Sequence, residues 1–239
     1  LVLAKLGLPY KLVLCDILKG ETRTPEFLAK NPNGRIPTLQ LEDGTFLAES
    51  GAIIWYLAEG TPLAPKDRKA RAETLQWMFF EQYSHEPNIA VARFWKHYLP
   101  KLSALQEMDL PNRMKGGYAA LDVMEKHLAK NDFFIGGSFG LADIALYAYT
   151  HVAPEGEFDL SKYPGINAWM GRVVAQPDPV RQAGELVEEG QVMDAVLGLA
   201  LGRDVAADLD HPEAGRAIRQ IEAIGSSDEA ARSHRRPRR

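Results

Sequence analysis

The apolar positions of this chain change their spacing twice, and each change marks a different kind of structure. From Leu1 to Ala58 they fall in short blocks. Leu1-Val2-Leu3-Ala4-Lys5-Leu6-Gly7 reads as the last turns of a helix closed by a glycine, and Lys11 to Asp16 as an apolar strand. Thr24-Pro25-Glu26-Phe27-Leu28-Ala29 opens with a capping residue and a proline at the first helical position, which predicts a short helix to about Lys30; Asn31-Pro32-Asn33-Gly34 stops it. Strands are predicted over Thr38 to Leu41 and Thr45 to Ala48, because Asp43-Gly44 between two apolar runs is a strong hairpin signal. A helix over Gly51 to Ala58 follows.

Past the breakers Gly60-Thr61-Pro62-Leu63-Ala64-Pro65 the strand signals vanish and helical spacing takes over. Leu75, Met78, Phe79 and Gln82 share one face of a helix starting near Asp67, which Pro87 interrupts or kinks just after Ser84-His85-Glu86. Asn88 to Leu99 is a second, aromatic-rich helix, and further stripes run through Tyr118, Leu121, Met124 and Leu128, through Leu141, Ile144, Ala145 and Ala148, and through Ile166, Trp169, Met170 and Val173. The pattern therefore predicts an α/β domain over residues 1–59, a linker over 60–65 and an all-helical bundle over 66–176. After Gln176-Pro177-Asp178-Pro179 the spacing is lost apart from Val192 to Leu201, so residues 177–239 read as a mostly mobile appendage.

Composition narrows the function classes. With 239 residues, 46% apolar and 25% charged, the chain has the make-up of a soluble globular protein, and no apolar run approaches the ~20 residues of a membrane span. A net charge of −4 gives no electrostatic reason to expect nucleic acid, and the basic run Arg235-Arg236-Pro237-Arg238-Arg239 is a terminal tail. Cys15, the single cysteine, rules out an internal disulfide, fits a cytoplasmic location and sits where a buried strand residue belongs. His85 and His97 lie 12 positions apart with no third ligand at a recognisable spacing, so no metal site is expected.

Candidate chemistry concentrates in two short segments. Pro37, directly before Thr38-Leu39-Gln40-Leu41, should begin a strand, either through a cis Ile36-Pro37 bond that turns the Ile36 amide and carbonyl outward or as a trans proline in a surface turn. Ser50 reads as the N-cap of the next helix, where free backbone amides bind carboxylates or phosphates, and Glu49 beside it can hold an ammonium. The competing reading is a serine that only caps its helix beside a solvated charge. A ligand with an amino acid head group and a peptide backbone to lie along Ile36 satisfies both segments, and glutathione is such a ligand.

Taken together, Asn31-Pro32-Asn33-Gly34-Arg35-Ile36-Pro37 and Glu49-Ser50 at this spacing resemble the cytosolic glutathione transferase family in its bacterial branch, over Leu1 to about Gln176. The resemblance implies a thioredoxin-like domain followed by an all-helical one. It implies that Ile36 pairs its backbone with the cysteinyl part of glutathione beside Pro37, and that Glu49 and Ser50 bind the γ-glutamyl amino and carboxylate groups. Arg35 and Lys19 are candidates for the glycyl carboxylate, and Tyr83, Phe94, Trp95 and Tyr98 for the pocket that receives a small hydrophobic electrophile. The family's Ser/Thr-x-x-Asp capping box is matched at Asp143, with Gly140 in place of the hydroxyl, so Asp143 has a structural role.

The resemblance also implies a homodimer and a first strand, followed by a catalytic Tyr, Ser or Cys loop, that would lie before Leu1. On this reading the chain is a fragment and the catalytic residue lies upstream; otherwise another segment fills the empty slot beside Lys11 to Asp16, with Val192 to Leu201 the only obvious substitute. Three activities fit: conjugation of the glutathione thiol to electrophiles, glutathione-dependent disulfide reduction on the same fold, or a non-catalytic interaction module.

Overall fold

The computed structural model describes residues 1–176 and the backbone of residues 219–222. The first domain begins with α1 (Val2–Leu6), closed by Gly7 at φ 62°, and β1 (Lys11–Leu14). A loop through Asp16 and a 3₁₀ turn at Glu21–Arg23 leads to α2 (Pro25–Lys30), where the Thr24 hydroxyl accepts from the Phe27 amide at 3.2 Å, as its capping sequence predicts. β2 (Thr38–Gln40) and β3 (Phe46–Ala48) form an antiparallel hairpin with Leu39 opposite Leu47, and Gly44 at its turn has φ 82°. α3 (Ser50–Ala58) completes the domain.

β1 does have a partner. β4 (Arg219–Glu222) pairs with it antiparallel, Lys11 opposite Glu222 and Leu14 opposite Arg219, and also lies beside β2. The slot expected to be empty is thus filled, by a segment other than Val192 to Leu201, because Arg219 to Glu222 supplies the ladder that β1 needs for its backbone groups. Apart from Arg219–Glu222, the predicted appendage, Val192 to Leu201 included, lies outside the described residues.

The helical domain comprises α4 (Arg68–Phe80), α5 (Glu86–Tyr98), α6 (Ala104–Leu128), α7 (Leu141–Thr150) and α8 (Pro164–Val174). Between α4 and α5 the chain makes a π turn, Glu81–His85, and Pro87 stands in the first turn of α5, where its missing N–H costs nothing. The helical run therefore passes from α4 through the π turn into α5 without a break. The principal core is helical: Ile89, Leu121, Met124, Leu146, Ile166 and Trp169 are each 0 to 2% exposed.

A second core joins the two domains and sets how the site is assembled. Val2 from α1, Ala58 from α3, Met78 from α4 and Leu141 and Ile144 from α7 pack together with Ala64 of the connection. The Leu141 amide donates to the Leu63 carbonyl, so residues 60–65 are seated against α7 and do not hang as a tether.

Candidate functional site

The site is built on the turn between α2 and β2. Asn31 is 3% exposed; its side-chain oxygen accepts the Asn33 amide at 3.0 Å, and its Nδ2 donates to the Arg35 carbonyl at 2.6 Å. Gly34 has φ 63°, and a Cβ there would stand 3.0 Å from the Thr22 carbonyl oxygen, so the position favours glycine. Arg23 Nη1 in turn donates to the Asn33 carbonyl. These bonds deliver the chain into a cis Ile36-Pro37 peptide, which resolves the choice between cis and trans.

Ile36 is 0% exposed, with its side chain packed on Phe27 and Cys15. Its amide and carbonyl make no hydrogen bond among the described residues, so its main chain is an edge awaiting a partner.

At the start of α3 the structure corrects the expected cap. Glu49, at φ 66°, is the capping residue, and Ser50 is the first residue of the helix. The Ser50 hydroxyl is accordingly not spent on its own helix and stands with the unpaired amides of the first turn, a group of donors suited to a carboxylate. The Glu49 carboxylate accepts from Asn33 Nδ2 at 3.3 Å, which ties the two motifs to each other across 16 residues. Left-handed backbone at a glutamate is strained, and the Asn33 bond helps to hold it.

The other candidates separate. Lys19 is on the loop after β1, bonded to Asp16 at 3.0 Å; that bond raises the lysine above its ordinary pKa. Asp16 Oδ1 also collects the amides of Leu18 and Lys19, so this group shapes the loop. Of the aromatics, Tyr83 is 87% exposed and Phe94 only 5%. Phe94 lies against Tyr98, whose hydroxyl accepts from Arg93, while Trp95 stacks on the Arg113 guanidinium at 5.8 Å. Phe94 is thus part of the core, and the four side chains do not converge on one wall.

Two charged residues that motif reading passed over stand where α5 and α6 pack together. Glu86, at the start of α5, is 7% exposed, and burial pushes its carboxyl up to about 7; Arg35 and Arg113 pull it down and Glu49 pushes it further up. Arg113, on α6, donates to the Pro87 carbonyl at 3.0 Å and to Asp109 at 2.7 Å. The only sequence signal at Glu86 is the kink at Pro87, which carries no hint of the first domain. Cys15 is 4% exposed with its thiol pushed up to about 11 by burial, which makes it inert as a nucleophile.

A small sheet domain carrying a cis-proline turn, followed by a helical bundle, defines a thioredoxin-like domain joined to an all-helical one. The chain belongs to the glutathione S-transferase family: residues 1–59 match the family's N-terminal domain and residues 90–177 its C-terminal domain. It is 30% identical over 186 residues to the disulfide-bond oxidoreductase YfcG of Escherichia coli, covering 74% of this chain and 84% of that one. The crystal structure of a glutathione S-transferase from Pseudomonas fluorescens matches at 56% identity and a TM-score of 0.72, over 74% of this chain and 88% of that one. A glutathione transferase homologue from Sulfitobacter, solved with bound glutathione, matches at 28% identity and a TM-score of 0.64, over 77% and 91%.

Proposed function

We propose that this chain binds glutathione across the Ile36-Pro37 edge and the start of α3 and serves conjugation of its thiol to small hydrophobic electrophiles. The observation that carries the reading is the joining of the two motifs: the buried, unpartnered Ile36 main chain and the Ser50 hydroxyl are locked to one another through Asn33 and Glu49. In this arrangement Ser50 and the first amides of α3 receive the γ-glutamyl carboxylate, Glu49 receives its ammonium, and the Ile36 edge pairs with the cysteinyl residue. Arg35 and Lys19 are assigned to the glycyl carboxylate. A free thiol has a pKa of about 8.5, so at neutral pH only a few per cent is thiolate, and conjugation needs that fraction raised.

Disulfide reduction is the second reading, and the likeness to YfcG favours it. Both readings use the same glutathione site and differ in the second substrate. Isothermal titration calorimetry with glutathione tests the shared part: wild type should bind, and Ser50→Ala should weaken binding about tenfold by removing a hydrogen bond to a charged group. Equal affinities would remove Ser50 from the site. Parallel assays with an aryl halide and with a mixed disulfide of glutathione then separate conjugation from reduction.

A further inference from the structure

Asn33 is exposed, yet both of its main-chain polar groups are committed. Its amide donates to Asn31 Oδ1 at 3.0 Å, and its carbonyl accepts from Arg23 Nη1 at 3.1 Å. Asn31 is itself buried and fixes the residues that follow: its carbonyl accepts the Gly34 amide at 2.9 Å, and its Nδ2 donates to the Arg35 carbonyl at 2.6 Å. The Asn33 backbone is therefore a rigid mount, which leaves the side chain to act elsewhere. It spends a donor on Glu49 Oε1 at 3.3 Å, in a segment 16 positions further on.

Glu49 gains from such a partner. It is exposed, and a free glutamate side chain samples several rotamers that a ligand must freeze at an entropic cost. Its main chain is already engaged: at φ 66° it opens α3, and its carbonyl accepts the Ile53 amide at 2.9 Å. Only the carboxylate remains to be aimed. With Oε1 bonded to Asn33, Oε2 accepts no hydrogen bond among the described residues and is the oxygen open to a ligand. An ammonium is the group it suits, because a bond between two charged partners is the strongest a carboxylate can accept.

We propose that Asn33 is a positioning residue for the head-group end of the site: its side-chain amide holds the Glu49 carboxylate in place for the α-ammonium of the ligand and so sets the preference for peptides that carry that amine. The proposal rests on the glutathione reading given above. It adds that the turn leading into the Ile36 edge also supports the ammonium acceptor, through the chain of bonds from Arg23 and Asn31 to Asn33 and on to Glu49.

Calorimetric titrations of the full chain with glutathione and with glutaryl-cysteinylglycine, which keeps the head-group carboxylate and lacks the amine, test this role. Asn33 is not among the positive-φ positions and alanine keeps both main-chain bonds, so Asn33→Ala removes the side-chain bond alone. Wild type should bind glutathione more tightly than the analogue. Asn33→Ala should weaken glutathione binding about fivefold and leave the analogue unchanged, and Asn33→Asp, of the same shape but with a carboxylate facing Glu49, should weaken glutathione further. In a Glu49→Gln background the alanine substitution should cost nothing more. Unchanged glutathione affinity in Asn33→Ala would overturn the proposal, and so would equal losses for both ligands, which show a role in shaping the turn only. Additive losses from the two substitutions would overturn it by showing that Asn33 acts apart from Glu49. A wild-type chain that binds neither ligand would overturn the glutathione reading itself, and the positioning role with it.

Discussion

Asp143 shows how much a single buried side chain can hold. It is 0% exposed and accepts from the Trp169 indole at 2.8 Å, the Gly140 amide at 3.0 Å and the Phe134 amide at 3.2 Å. Burial nevertheless pushes its carboxyl up to about 6, so desolvation outweighs three bonds that favour the ion. Asp143→Ala would strand all three donors in the interior, and urea unfolding should show a loss of about 3–5 kcal/mol; a loss below ~1 kcal/mol would mean that the donors find other partners. The capping part of this role was legible, since Gly140 and Asp143 are three apart, but the Trp169 bond was not, because it joins α7 to α8. The same distinction runs through the site. Ile36, Pro37, Glu49 and Ser50 lie in contiguous motifs that sequence displays directly, whereas the interdomain core joins Val2, Ala58, Met78 and Ile144 from four separate helices, which no local motif announces.

Among the elements, α6 sets the packing of the helical domain, and its 25 residues include Gly117 at the closest approach of Phe158. A Cβ at Gly117 would stand 2.4 Å from the Phe158 ring and 3.1 Å from Ile89, and both side chains are buried. Gly117→Ala gains about 1 kcal/mol of helix propensity but forces an overpacked core, which costs about 1–3 kcal/mol. The midpoint of chemical denaturation should therefore fall; a rise would show that Phe158 can move aside. The helices themselves were readable because their apolar stripes repeat with the helical period, and the hairpin because Asp43-Gly44 sits between apolar runs. Three features left no such trace. The π turn follows α4 and precedes α5 without a break in the helical run, and β4 has only four residues over which to alternate. The start of α3 moved by one residue because Glu49 takes a left-handed backbone, which composition at that position argues against.

For the whole molecule, the buried charges around the π turn make stability depend on pH in a direction that can be worked out. Burial pushes Glu81 up to about 8 from an ordinary 4.5 and Glu86 up to about 7, and pushes His85 down to about 3 from 6.5. A carboxyl raised in the folded state stabilises fully below its unfolded pKa, and that contribution is lost as pH rises through the folded value. The depressed histidine works in reverse: its contribution is full above 6.5 and lost as pH falls toward 3. Between about 4.5 and 6.5 the two trends oppose each other. Above 6.5 only the carboxyls act, so stability should decline toward pH 8, by at most about 1.4 kcal/mol per pH unit for each group. Glu81→Gln removes the larger contributor while keeping an oxygen to accept the Gln82 side-chain amide, which donates to Glu81 at 2.8 Å. Denaturation midpoints at pH 5, 6.5 and 8.5 should show the variant close to wild type at pH 5 and more stable than wild type at pH 8.5. Parallel profiles for the two proteins would show that Glu81 ionises in the folded chain no differently from the unfolded one, and the alkaline decline would then have to originate at Glu86.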